Sequence, residues 1–197
     1  MTLRLDLLRH GETLQGGGFR GRIDDALSET GWAQLHTTVA GVGGWQRVVS
    51  SPLRRCADFA MHLADQRALP LELATDLREL DFGDWEGRTA AELMDGQSEA
   101  LGRFWDDPYG FTPPGGEPLL AFQARVIEGV RALARQYAGQ HLLLVTHGGV
   151  MRLLLAQARG LPRQHLLQVE VGHAGLFALE VSLENDELVL EERCSPC

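Results

Sequence analysis

Arg9 and His10 stand where an apolar run, Leu3 to Leu8, ends abruptly in charge. Such a run reads as a buried strand that delivers polar groups to a sheet edge. A neutral imidazole placed there can attack phosphorus, and a neighbouring guanidinium can hold the anion under attack. Two further positions share this address. Arg55 falls in the first turns of a helix expected after a second strand, and His147 follows the apolar run His141 to Thr146. If those strands are neighbours in an open parallel sheet, Arg9, His10, Arg55 and His147 meet at the carboxyl ends of strands, where ligands bind. Helix N-termini at the same edge add backbone N–H groups and a dipole that favours an anion. In-line attack by His10 would form a covalent phosphohistidine, while the arginines and the second histidine neutralise the equatorial oxygens. A carboxylic acid must then protonate the leaving alkoxide and later activate water. The segment Leu77 to Gly87 offers Glu79, Asp81, Asp84 and Glu86, and spacing does not choose among them.

Composition fits a small anionic substrate better than a polymeric one. Eighteen Lys and Arg against 27 Asp and Glu leave a net charge of −9, which argues against nucleic acid or an anionic membrane as partner. Binding a phosphate against that field requires a local basic cluster such as the one above. The 197 residues, 44% of them hydrophobic, can bury one core. One domain is expected over 1–193, with 194–197 as a tail. Arg4 and Asp6 interrupt the only early apolar run, so no signal pattern is read, and no run approaches the ~20 residues of a membrane helix. A cytoplasmic protein is expected. Cys56 reads as a small buried residue, and Cys194 with Cys197 as two thiols on the tail, since two ligands make a poor zinc site.

The elements that must position these groups alternate between the two periods. Residues 3–8 read as a strand, and Gly11 to Leu27 as a glycine-rich loop over the site. Gly16, Gly18 and Gly21 match G-x-G-x-x-G by letter, but no helix opens there, so a dinucleotide fold is not supported. Ser28 caps a helix to Ala40; Trp45 to Ser50 is a second strand; Ser51 caps a helix with Pro52 at its first position. Leu69 to Leu73 is a short strand. Two short helices follow, Thr89 to Met94 and Ser98 to Trp105, then a Pro- and Gly-rich loop from Pro108 to Pro118. A helix from Pro118 to Tyr137 buries Phe122, Val126, Val130 and Leu133. His141 to Thr146 is a central strand, Val150 to Arg159 a helix, and Gly172 to Ser182 and Leu188 to Leu190 closing strands around an Asn185-Asp186 turn. This alternation predicts an α/β sheet covered on both faces. Trp85 and Phe82 read as packing residues, His36 and His62 as surface positions, and His173 as a turn residue, with lining of the pocket as the alternative.

Leu8-Arg9-His10-Gly11-Glu12-Thr13 resembles the R-H-G signature of the histidine phosphatase superfamily, which includes cofactor-dependent phosphoglycerate mutases. Asp24 to Gly31, Ser50 to Arg55, Leu77 to Gly87, Gly115-Gly116-Glu117 and Val145 to Val150 extend the likeness in order along the chain. The resemblance implies a phosphoglycerate mutase-like three-layer α/β/α sandwich with a mostly parallel central sheet. It also implies His10 as nucleophile, Glu79 as proton donor, and Arg9, Arg55, His147 and Gly148 as the phosphate pocket. In the family's S-P-L-x-R pattern the count starts at Ser51, which selects Arg55 and leaves Arg54 as a solvated neighbour. No metal and no cofactor are implied. Members often carry Asn three residues after the Thr of R-H-G-E-T, in contact with phosphate; Gly16 stands there in this chain.

The chain is therefore expected to be a phosphoric monoester hydrolase acting on a small phosphomonoester, with a homodimer compatible with the sequence. The run L-x-E-x-x-F-G-x-W-E-G and the P-P-G-G-E loop resemble α-ribazole-5′-phosphate phosphatases of cobalamin nucleotide-loop synthesis. The alternatives are a broad-specificity phosphatase, a phosphoglycerate mutase, a non-catalytic phosphate-binding module, and a zinc site at His10 and His147.

Overall fold

Side-chain alternation along the strands sets the layers. In β1 (Leu3–Arg9), Leu3, Leu5 and Leu7 join one core cluster, while Leu8 joins another on the opposite face. In β4 (His141–Thr146), Leu142 and Leu144 belong to the first cluster and Leu143 and Val145 to the second. Both strands are therefore covered on two sides, and the computed structural model, which describes residues 2–193, is a three-layer α/β/α sandwich. Helices α1 (Glu29–Val39) and α2 (Arg54–Arg67) cover one face; α3 (Ala90–Asp106), α4 (Leu119–Gln136) and α5 (Gly148–Ala158) cover the other. Cys194 and Cys197, read as a two-thiol tail, lie outside the described residues. Among the described residues no helix is long and apolar enough to cross a membrane.

The remaining strands are β2 (Arg47–Ser50), β3 (Leu71–Leu73), β5 (Leu176–Glu184) and β6 (Glu187–Arg193). Their order is β3-β2-β4-β1-β5-β6. The first four run parallel; β5 and β6 add an antiparallel edge. The sheet is mostly parallel, as expected, and β2, β4 and β1 are neighbours. That adjacency is what the proposed convergence of His10, Arg55 and His147 requires.

Several boundaries move for identifiable reasons. Ser51 does not cap α2: that helix starts at Arg54 after Leu53, without a side-chain cap, and the Ser51 hydroxyl is engaged elsewhere. The two short helices expected between Thr89 and Trp105 do form, as the two halves of α3 on either side of non-helical Asp95, Gly96 and Gln97. Thr89 and Glu92 form a reciprocal capping box at its start. The first closing strand begins at Leu176 and not at Gly172, because residues 172–175 turn back, with Gly175 N–H donating to Gly172 C=O at 3.1 Å. Asp6, which interrupts the apolar pattern of β1, is nevertheless buried: Trp45 Nε1–H donates to it at 2.7 Å and His141 Nε2 lies 2.9 Å away.

The loop after β1 is pressed against the start of α1. A Cβ on Gly11 would lie 2.3 Å from the Gly31 carbonyl oxygen, and one on Gly31 would lie 2.1 Å from that of Glu12. Ser28, the N-cap of α1, donates its N–H to the same Glu12 carbonyl at 2.9 Å. Both glycines are therefore required by close approach of backbones. Gly31→Ala is expected to lose about 1–3 kcal/mol in urea melts, whereas Gly102→Ala, inside α3 with nothing within 4 Å of its Cβ, should gain about 0.5–1 kcal/mol. An unchanged midpoint for Gly31→Ala would show that the loop is not locked in this way.

Candidate active site

Parallel pairing carries the three strand ends to one level. Arg9 is opposite Thr146, and Ser50 is opposite Val145. His10 N–H extends the ladder to Thr146 C=O at 3.0 Å, and Ser51 N–H to Val145 C=O at 3.0 Å. The rings of His10 and His147 consequently stand edge to face, with centroids 5.4 Å apart.

Each imidazole is held in one tautomer by its neighbours. The Gly11 carbonyl lies 2.8 Å from His10 Nδ1 and accepts its proton, which leaves Nε2 as the unprotonated nitrogen. Arg55 Nε–H donates to His147 Nδ1 at 3.2 Å, so the His147 proton sits on Nε2 and is donated to Ser51 Oγ at 2.7 Å. Burial, followed by the Arg55 charge, pushes both histidines well below the ordinary imidazole range. His10 therefore presents a neutral, oriented lone pair. Cys56 Sγ–H donates to Thr146 C=O at 3.4 Å, and burial pushes the thiol up, so it stays protonated as the buried residue expected.

Arg55 and His147 do converge on His10, but they lie beneath the cavity wall and not on it. Both are completely buried. Arg55 Nη1 donates to the Ile23 carbonyl, and Nη2 to those of Gly21 at 2.8 Å and Arg20 at 3.2 Å. Asp25 Oδ1 lies 3.6 Å from Arg55 Nη1, and its other oxygen 3.6 Å from Arg20 Nε. Arg54 is the exposed neighbour, facing Asp58. The second half of the Gly11–Leu27 loop is thus folded over Arg55 as its lid.

Geometry separates the four candidate acids. Glu86 accepts backbone N–H groups from Gly21, Arg22, Ile23 and Phe82 at 2.9–3.2 Å, and so ties the loop to the acidic segment. Asp81 accepts from Gly83 N–H at 2.8 Å, and Asp84 is exposed. Glu79 alone among them lines the cavity that contains His10. Gly149 N–H at the start of α5 donates to Glu79 Oε2 at 3.0 Å, and a Cβ on Gly149 would lie 2.3 Å from Oε1. Behind Glu79, Arg125 donates to the carbonyls of Asp76, Arg78 and Glu79 at 2.7–2.9 Å and grips Glu117 with two further bonds. The P-P-G-G-E loop therefore supports the acid from below.

The cavity has a volume of about 490 Å³. Arg9, His10 and Glu79 line it, as do Trp105, Phe122 and an aromatic wall of Phe19, Phe82 and Phe104, whose rings pack together. Phe82, read as packing, lines it, whereas Trp85 is wholly buried with Nε1–H on Gln97. Arg9 Nη1 donates to Val171 C=O at 2.6 Å, while its buried Nε has no partner. Gly149 lines the cavity where Gly148 was expected; Gly148 packs under Arg9 and Arg152. His36 and His62 are exposed and remote. Thr13, Arg20, Asp25 and Arg152 belong to the site without having been singled out for it, and His173 lines the cavity, the alternative to its turn reading. Only the Asp24–Gly31 motif and the position of Arg152, three residues past Gly149 on a helix, carried any signal. Among the described residues no group of three or more His, Cys, Asp or Glu is arranged to hold a metal ion.

A family model for the histidine phosphatase superfamily (branch 1) matches residues 5–192. A bifunctional protein of Mycobacterium tuberculosis is 39% identical over 185 residues; the match takes in 91% of this chain and 48% of that protein, so the chain spans about half its length. The adenosylcobalamin/alpha-ribazole phosphatase of Escherichia coli K12 is 32% identical over 185 residues, 91% of either chain. The solved structure of a mycobacterial glucosyl-3-phosphoglycerate phosphatase superposes with a TM-score of 0.85 at 28% identity, over 99% of both chains.

The two neutral histidines make stability depend on pH in a definite direction. In the unfolded chain they take up protons as pH falls through about 6.5, whereas in the fold both pKa values lie well below that. The unfolded state then binds more protons, so their contribution is full above pH 6.5 and is lost as pH drops towards the folded values. Urea melts between pH 7.5 and 5 should show stability falling by up to about 1.4 kcal/mol per pH unit for each histidine. A flat profile would contradict the neutral assignment.

Proposed function

The chain belongs to branch 1 of the histidine phosphatase superfamily, and from that membership we propose that it is a phosphomonoester phosphatase working through a covalent phosphohistidine on His10. The observation that carries this reading is the Gly11 carbonyl on His10 Nδ1, which frees Nε2 as a neutral nucleophile beside Arg9 and Glu79. In the first step the Nε2 lone pair forms the N–P bond as the P–O bond to the leaving group breaks, and the Glu79 carboxyl gives its proton to the departing alkoxide. In the second, the Glu79 carboxylate takes a proton from water, whose oxygen displaces His10 and releases inorganic phosphate. Arg9, reached directly from the cavity, steadies the equatorial oxygens. Arg55 acts from the layer beneath, through its charge on His10, His147 holds Arg55 by accepting its Nε–H, and Gly148 leaves Arg9 its room.

For the leaving group, the aromatic wall favours an apolar planar moiety, in line with α-ribazole 5′-phosphate, a substrate of cobalamin nucleotide-loop synthesis; the Escherichia coli relative is named an adenosylcobalamin/alpha-ribazole phosphatase. One observation favours a second reading. Arg152 lines the cavity and its terminal nitrogens make no hydrogen bond, which suits a leaving group with its own carboxylate, as in glucosyl-3-phosphoglycerate. A panel of α-ribazole phosphate, glucosyl-3-phosphoglycerate, phosphoglycerates and sugar phosphates ranks the two by kcat/KM.

Rapid quenching under non-acidic conditions with a labelled substrate should leave the label on His10, and His10→Ala should abolish both label and turnover. Near wild-type turnover by that variant would end the covalent mechanism. Glu79→Gln is expected to slow alkyl phosphates by about 10²–10⁴-fold and aryl phosphates far less, because phenolate leaves without a proton. Equal losses on both would remove Glu79 from the acid role.

A further inference from the structure

A transferring phosphoryl group spreads its charge over three equatorial oxygens, each of which calls for donors. The cations nearest His10 are largely committed elsewhere. Every nitrogen of Arg55 donates within the protein, and both ring nitrogens of His147 are engaged. Arg20 spends Nε on Gly16 C=O, Nη1 on the Gln15 side chain, and Nη2 on the carbonyls of Gln15 and Gly17. On the cavity wall, among the described residues, the side-chain donors that make no hydrogen bond are Arg9 Nε and Nη2, the Arg152 terminal nitrogens, the Thr13 hydroxyl, Trp105 Nε1 and the His173 imidazole. Gly16, also on that wall, has no side chain to offer.

His173 is the one of these in ring contact with the nucleophile. Its ring centroid lies 5.7 Å from that of His10, on a tilted plane. Charge-assisted N–H···O bonds run to about 2.7–2.9 Å, so an oxygen carried on His10 can bridge a gap of that size. The backbone around His173 is laced to the end of β1. Ala174 N–H donates to His10 C=O at 3.2 Å, and Arg9 N–H donates to Gly175 C=O at 3.0 Å. The Ala174 carbonyl accepts from Thr38 Oγ at 3.0 Å. Ala174 itself sits at φ 53, a left-handed conformation that costs a non-glycine residue about 1 kcal/mol or more. Strain of this kind persists only where surrounding contacts over-determine it, and here those contacts fix the residue next to His173. Burial and the Arg9 charge lower the His173 pKa, so near neutrality its ring carries one N–H and one lone pair.

We propose that His173 is a further catalytic residue: its imidazole N–H donates to an equatorial oxygen of the phosphoryl group during its transfer to and from His10. This rests on the phosphohistidine reading above. No bond to His173 forms or breaks, and it exchanges no proton with the leaving group. Its contribution is therefore the same for good and poor leaving groups, which separates it from Glu79.

The test compares His173→Ala and His173→Asn with wild type, by calorimetric titration with orthovanadate and by kcat/KM on an aryl and an alkyl phosphate. His173→Ala should weaken vanadate about ten- to hundredfold and lower kcat/KM on both substrates by a similar factor. His173→Asn, which keeps an N–H donor, should recover most of both. Vanadate affinity and turnover within twofold of wild type in His173→Ala would overturn the proposal. A loss confined to the alkyl substrate, or equal losses in both variants with a lowered melting temperature, would overturn it too. A wild-type protein without turnover or label on His10 would sink the phosphatase reading instead, and the vanadate titration would still decide the role of His173.

Discussion

A guanidinium with no exposed surface lies at the centre of this site, and most of what surrounds it follows from the need to keep it there. Removing an ion from water costs several kcal/mol unless its donors are met. Arg55 meets that cost with the carbonyls of residues 20, 21 and 23, the Asp25 carboxylate and His147 Nδ1. The glycine-rich loop is thereby fixed at its second half, however irregular its sequence. Burial first, and then the same charge, keep both neighbouring histidines neutral, because a second cation in a dry site beside an unscreened one is strongly disfavoured. The His147 tautomer and the lid thus depend on one buried residue that does not itself reach the cavity, and its charge adds to the burial that keeps His10 neutral.

The acidic arm is built on the same plan, with charges spent on backbone. Glu86 gathers four N–H groups, and Arg125 gathers three carbonyls and a carboxylate. Between these two clamps Glu79 is left to point into the cavity. Gly83 belongs to the same design: a Cβ there would lie 2.2 Å from Pro114 C=O, so the P-P-G-G-E loop can nest against the acidic run. Gly149 gives Glu79 its room from the other side.

Above this charged floor the wall is aromatic. Phe19 and Phe82 pack with centroids 5.0 Å apart, and Phe104 meets both. Apolar walls lower the local dielectric, which strengthens each interaction between Arg9, Glu79 and an anion on the floor. The same wall shapes the leaving-group side, so catalysis and selectivity are not independent in this cavity.

Strands, layers and the order of the chemistry-bearing segments were legible in the sequence, because periodicity is a local property. The alternation in β1 and the continuous run of β4 declare their burial, and the abrupt change from Leu8 to Arg9-His10 declares a sheet edge. The choice of Glu79 over Asp81, Asp84 and Glu86 came only from family likeness; the fold supplies the physical distinction, since Glu86 is consumed by backbone donors that include Gly21, 65 residues away. Ser51 carries the letters of a helix cap and instead holds His147, 96 residues on. Arg55 and His147 were expected on the cavity wall and lie behind it, and of the two readings of His173, turn or pocket lining, the fold selects the second. The sequence by itself determined which groups were available and roughly at which edge. Which nitrogen carries a proton, which donor remains unspent and which glycine leaves no room are decided by contacts between distant segments, and those exist only once the chain has closed on itself.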